Sequence, residues 1–344
     1  MSGKLSIRLH GGIEPRRCVE LAACAEASGF DSIWFAENPF GRGVLPSAAA
    51  AAAATARIGI GVGVVNPYNR HPTLMAMEIG ALDELAGGRA RLGIGSGIAS
   101  ATERMGLAID RPLAAVRDAF VIVRGMLAGE EMNHAGRVFS ALGVRLDYKA
   151  LRPHLPVLMA ARGAQALALC GHIADGLLIS NMCPVAFTAH AVETVRKAAE
   201  AAGRTAPAEV VQYVPCAARA DREVAVRLAQ EAVGDMLPSF WALGERVPAA
   251  RSAMLKAEGL SEADFAGAVA RLRAGEKAAD VLDERFVSAF AIAGTAADCL
   301  AQAQRYFDAG ASELALSFAG TQPEEDMRYL GEALRRFAGA AQRS

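Results

Sequence analysis

The chain has 344 residues, 53% of them hydrophobic, enough to bury a large core as one big domain or as two. Its 36 basic and 37 acidic residues leave a formal net charge of −1 without a long run of either sign, which argues against a nucleic-acid partner. No stretch of about 18 uninterrupted apolar residues offers a membrane span, and residues 1–10 (MSGKLSIRLH) run straight into a strand-like pattern rather than a signal peptide, so a soluble cytoplasmic protein is expected.

Short apolar runs rich in β-branched residues alternate along the chain with longer segments at helical spacing. Eight runs read as strands: 5–10, 32–37, 58–65 and 90–97, then 156–161, 176–181, 210–218 and 313–318. Helices with recognisable ends lie between them, such as Glu14–Ser28 closed by Gly29, and His71–Ala86 closed by Gly87 and Gly88. Two intervals exceed an ordinary connection and read as insertions: about 129–155, with hairpin-like AGRVFSALGVRLDY, and about 238–290, where PSFWALGERVP leads into polar helical sequence. Lids or partner surfaces are their expected roles. Eight βα repeats predict an α/β fold, a (β/α)8 TIM barrel forming a single domain over 1–344. The rival doubly wound sheet would carry G-x-G-x-x-G after its first strand, and HGGIEPRRC lacks it.

Six cysteines (Cys18, Cys24, Cys170, Cys183, Cys216, Cys299) form no C-x-x-C pair and read as buried free thiols. No cluster of His, Cys, Asp or Glu has metal-ligand spacing, so no metal is expected. GIGSG at 93–97 resembles a nucleophile elbow only superficially, because Gly95 precedes Ser96 without the required order.

A barrel builds its active site at the C-terminal ends of its strands, which selects Arg8, His10, Glu37, Asn38, Gly63 to Asn66, Ser96, Arg162, Asn181 and Ser317. Glu37 ends an apolar run, where a partly dehydrated carboxylate suits proton transfer; a solvated loop carboxylate is the alternative. Asn38 would bond a ligand or initiate the turn ENPFG. His10 suits an acid or a ring-contacting donor, or else a structural imidazole, whereas His71 before Pro72 suits helix capping. Arg162, Gly163 and Ala164 lead into a helix whose first N–H groups would be free for an anion.

The strings GVGVVNPYNRHP (61–72), LDELAGGRARLGIGSG (82–97), GHIADGLLISN (171–181) and SAFAIAGTAADC (288–299) together resemble the bacterial luciferase-like superfamily, in particular its coenzyme F420-dependent methylenetetrahydromethanopterin reductase branch. The resemblance runs from the first strand to about Phe318. It implies a non-prolyl cis peptide at Gly63–Val64, a bulge backing a flavin or deazaflavin ring. Gly63, Val64 and Asn66 would lie under the ring, with Gly95, Ser96 and Gly97 beside it. Arg162, Gly163, Ala164, Ser180 and Asn181 would lie near the cofactor phosphate.

Four positions depart from that branch: Arg8 and Ile98 stand where the pterin reductases carry acids, and Glu37-Asn38 where they commonly have Asp-His. The resemblance implies a hydride-transferring oxidoreductase that uses F420 on a small organic acceptor with C=N or C=O character. The alternatives are an FMN-dependent monooxygenase served by a flavin reductase partner, and a non-catalytic flavin-binding homologue. It also implies a homodimer, and the alanine-rich segment 46–56 would permit close helix packing, on its own barrel or against a second copy.

Overall fold

Residues along a parallel strand inside a closed barrel alternate between a lumen and a helix layer, so both faces are buried and the strands read as continuous apolar runs. The computed structural model, which describes residues 3–341, has this arrangement. In chain order its first half comprises β1 (Lys4–His10), α1 (Pro15–Ser28), β2 (Ser32–Ala36), α2 (Val44–Ala54), β3 (Gly59–Val65), α3 (Pro72–Leu85), β4 (Ala90–Ile94), α4 (Ala99–Arg104) and α5 (Pro112–Leu127). A hairpin of β5 (Met132–Ala135) and β6 (Ser140–Val144) follows, then β7 (Val157–Ala160), α6 (Ala164–Ile173), β8 (Gly176–Ile179), α7 (Val185–Ala201) and β9 (Glu209–Ala218). The last part holds α8 (Arg222–Arg246), α9 (Pro248–Met254), α10 (Glu262–Arg273), α11 (Ala278–Val281), α12 (Glu284–Phe290), β10 (Ile292–Gly294), α13 (Ala296–Asp308), β11 (Glu313–Phe318) and α14 (Pro323–Ala341).

The parallel strands β11-β1-β2-β3-β4-β7-β8-β9 form a ring, closed where β9 pairs with both β8 and β11. This is the expected (β/α)8 barrel. The predicted strands ending at 37, 97 and 181 stop in the structure at Ala36, Ile94 and Ile179. Their last residues lie beyond the ladder at the C-terminal end of the barrel. The three-residue β10 was not anticipated: the ten-residue β9 outruns the ring, and its end, Cys216–Ala218, pairs with Ile292–Gly294.

Helix ends follow local chemistry. Gly29, at φ 88°, closes α1 by donating to Ala25 and Glu26 carbonyls, a left-handed conformation that costs glycine little. His71 caps α3 through Nδ1, which accepts from the Thr73 N–H at 3.3 Å, the predicted capping role. Within α2, Ala48, Ala51 and Ala52 are buried in the molecule's own core, so the alanines serve close packing on this barrel. Pro238 lies inside the 25-residue α8. Helices α8 to α12 enclose a second apolar cluster, in which Trp241 stacks on Phe265 at 5.1 Å and Phe286 and Phe290 meet that ring edge-on.

The lumen is filled in tiers. At its floor Arg91 pairs with Glu313 at 2.7 Å and Glu209 at 3.2 Å, while Ser32 and the Trp34 indole N–H donate to Glu313. Above it Trp34, Leu158, Leu178, Val211, Tyr213 and Ala315 pack together. Trp34 explains the loose composition of β3: a Cβ at Gly61 would lie 2.4 Å from its ring carbons, so that position has no room for a side chain.

Candidate active site

At the mouth, the ends of β3 and β4 form a flat ledge. The Gly63–Val64 peptide is cis, and the pairing register slips between Gly63, opposite Gly93, and Val65, opposite Ile94. Val64 packs on the lumen cluster, and the Gly63 carbonyl accepts a hydrogen bond from the Tyr213 hydroxyl at 2.9 Å. Beside it a Cβ at Gly95 would come within 2.6 Å of Val64 Cγ1 and 3.2 Å of Ala160 Cβ. Gly97, at φ 77°, covers Asn66, whose Cγ would lie 2.9 Å from an added Cβ. Asn66 is buried, and its Oδ1 accepts from the backbone N–H groups of Tyr68 and Asn69, fixing the turn after β3. Gly63, Val64, Asn66, Gly95, Ser96 and Gly97 are thus brought together.

A second corner adjoins through the β4–β7 pairing. Gly163 precedes α6 without a side-chain cap, so the first N–H groups of that helix are open to a ligand. Arg162 donates to the Asn181 carbonyl at 2.9 Å and lies over the Phe240 ring at 5.4 Å, linking β7, β8 and α8. Ser180 is half-buried and its carbonyl accepts from Gln212. The Asn181 side chain is buried with its Oδ1 unpartnered, an acceptor whose burial without a donor costs about 1–3 kcal/mol. Arg162, Gly163, Ala164, Ser180 and Asn181 make this corner.

The third part is the β1–β2 rim. His10 Nδ1 accepts from the Gly12 N–H at 3.1 Å, which leaves Nε2 to carry the proton of the neutral imidazole. Burial, and then the nearby Arg8 charge, push the His10 pKa below its ordinary value, favouring that neutral form. Asn38 Oδ1 accepts from the Gly11 N–H at 3.2 Å, tying the two rim loops together. Glu37 follows Trp34 and Ala36 in alternation and turns to the helix side, where Arg70 joins it at 2.8 Å and also reaches Glu78 at 2.8 Å. Arg70 and Glu78 lie there beside Val62, Val65 and Met75. Glu37 is therefore paired through Oε1, while its Oε2 is enclosed without a partner, apart from the lumen-facing His10.

Sequence reasoning did not single out Trp34, Tyr213, Arg70 or Phe240. In strands buried on both faces, parity cannot be read from hydrophobicity. The usable signal was the spacing Gly59, Gly61, Gly63 on one strand and Gly93, Gly95 on the next, a period of two that marks space reserved on the lumen side.

A surface cleft of about 260 Å³ between α5 and α6 is a different feature: its Arg124 and Arg204 are engaged by backbone carbonyls of Ile173 and Gly171.

A closed parallel barrel with close-packed glycines and an uncapped helix terminus at its mouth has the kind of place in which barrels of this class build their sites. The family model described as luciferase-like monooxygenase matches residues 2–313, and the chain belongs to that family. It is 30% identical over 317 residues to 5,10-methylenetetrahydromethanopterin reductase of Methanolobus tindarius, covering 91% of this chain and 94% of that one. It is 30% identical over 320 residues to the enzyme of the same name from Archaeoglobus fulgidus, covering 90% and 92%. The solved coenzyme F420-dependent tetrahydromethanopterin reductase of Methanopyrus kandleri shares the fold, with a TM-score of 0.82 at 21% identity, over 96% of this chain and 98% of that one.

Proposed function

We propose that the protein is an F420-dependent oxidoreductase that moves a hydride between the deazaflavin and a small organic acceptor with C=N or C=O character. The observation carrying this reading is the close-packed ledge at the ends of β3 and β4, where Gly95 sits on Val64 and Gly97 on Asn66 too tightly for a Cβ, beside an α6 terminus left uncapped. A planar ring requires such a surface and an anionic tail such a terminus, so the residues present fit the cofactor. The relatives named F420-dependent support the choice of deazaflavin.

Gly63, Val64 and Asn66 would hold the ring, Gly95, Ser96 and Gly97 flank it, and Arg162, Gly163, Ala164, Ser180 and Asn181 take the phosphate. When bound, the deazaflavin supplies the hydride-donating or hydride-accepting carbon. The protein orients and desolvates. Tyr213 fixes the Gly63 carbonyl within the ledge. His10, neutral and protonated at Nε2, donates a hydrogen bond to the acceptor heteroatom and handles its proton. Asn38 and the Glu37–Arg70 pair hold the rim loops in place.

No helix among the described residues is long and apolar enough to cross a membrane, and we place the enzyme in the cytoplasm as a homodimer. The exposed Leu74, Met77 and Leu85 on one side of α3 support the second copy; solution mass checks it.

Titration of the purified protein with F420 and with FMN, followed by oxygen uptake after reduction, tests the reading. F420 binding in the micromolar range or tighter, without rapid oxygen consumption, is expected. Tight FMN binding with rapid oxygen consumption would instead identify a monooxygenase that takes reduced flavin from a reductase partner. Binding of neither would leave a non-catalytic homologue.

A further inference from the structure

We propose that Arg8 anchors the carboxylate of the acceptor, so that the substrate is a small carboxylate-bearing carbonyl or imine compound. This rests on the oxidoreductase reading and sharpens its substrate class. Arg8 lies in β1 next to Trp34 of β2, on the same strand face as His10 two residues further on, and its guanidinium carbon sits 5.0 Å over the Tyr213 ring. Its Nη1 donates to the neutral Ser317 hydroxyl at 3.2 Å. Its Nε is fully enclosed and has no partner, and among the described residues no carboxylate comes within ion-pair distance of it. The other lumen arginine, Arg91, has two carboxylates.

A guanidinium stays charged in a protein, and an enclosed charge without a counter-ion is costly. The missing partner is therefore an anion that arrives with the ligand. Arg8 as a whole is half-buried and its Nη2 has no partner among the described residues, so Nη2 is the donor that a carboxylate oxygen of the ligand would meet. One cation balances one negative charge, which a carboxylate brings and a phosphate monoester exceeds. The same strand face then offers the carboxylate a guanidinium and the reacting carbonyl or imine the His10 Nε2–H.

Oxamate, a small monocarboxylate, and its neutral counterpart oxamide are the probes, measured by calorimetry and thermal shift on wild type, Arg8→Gln and Arg8→Lys, each with and without F420. The expected result is oxamate binding to wild type that weakens at least tenfold in Arg8→Gln, recovers in part in Arg8→Lys, and has no oxamide counterpart. Arg8→Gln should keep its F420 affinity within about threefold, and its Tm should equal or exceed that of wild type, because an uncompensated buried charge has been removed. No Arg8-dependent oxamate binding, or a fall of several degrees in Tm, overturns the proposal. A parallel loss of F420 affinity also overturns it, by assigning Arg8 to the cofactor. Arg8-dependent oxamate binding in a protein that takes up no F420 would retain the carboxylate site while refuting the proposed cofactor.

Discussion

Two arginines share the lumen of this barrel and are treated oppositely. At the floor Arg91 is clamped by Glu313 and Glu209, with Ser32 and Trp34 completing the hydrogen bonds of Glu313. Burial alone would raise the Glu313 pKa, but the Arg91 charge and the hydrogen bonds from Arg91, Ser32 and Ser6 hold it at about 2. At the mouth Arg8 has one hydroxyl and an orphaned Nε, and Asn181 an orphaned Oδ1. Polar groups that satisfy one another inside a fold stabilise it, and unpartnered ones at a barrel mouth can take a ligand. We therefore assign stability to the floor and the proposed function to the mouth.

The sharpest way to break this contrast is at the floor. Glu313→Gln leaves Arg91 without its buried counter-charge, and a loss of about 3–5 kcal/mol is expected from urea denaturation, with ligand binding per folded molecule retained. Gly61→Ala presses a methyl group into Trp34, at an expected cost of about 1–3 kcal/mol or more in the same assay. Tyr213→Phe joins the two regions, since it strands the Gly63 carbonyl; about 1–3 kcal/mol of stability and a measurable part of the F420 affinity should be lost together.

The pH dependence separates the regions again. The folded pKa of Glu313, about 2, lies below its ordinary value of 4.5, so its ionised form stabilises the fold fully above pH 4.5 and the contribution is lost as pH falls toward 2. Acid unfolding of Glu313→Gln should lack that part of the slope.

The smallest effect is expected at Glu37→Gln. Arg70 keeps Glu78, so stability should change by about 1 kcal/mol or less and turnover by less than about tenfold. A loss of about 100-fold or more would return Glu37 to proton transfer.

Much of this was legible from residue order alone. The alternation of apolar runs and helical segments predicts the barrel, and the glycine-broken strand 61–72 and the turn at 162–164 mark the ledge and the helix terminus. What stayed hidden depends on partners distant in sequence. Glu37 looks like a lone strand-end carboxylate until the loop after β3 delivers Arg70, 33 residues later. Trp34 and Tyr213 look like any buried aromatics, because a strand buried on both faces does not reveal which side holds the lumen. β10 is three residues long, and its partner is the overhang of another strand.

The account is tested most directly by comparing the F420 affinity of a ledge variant, Gly95→Val, with that of the floor variant Glu313→Gln, each measured on its folded fraction. Gly95→Val places its side chain against Val64 and should weaken F420 binding at least about tenfold, equivalent to about 1.4 kcal/mol, while Glu313→Gln stays close to wild type. Equal affinities in the two variants, or a larger loss at the floor, would contradict the division of labour between the two ends of the lumen.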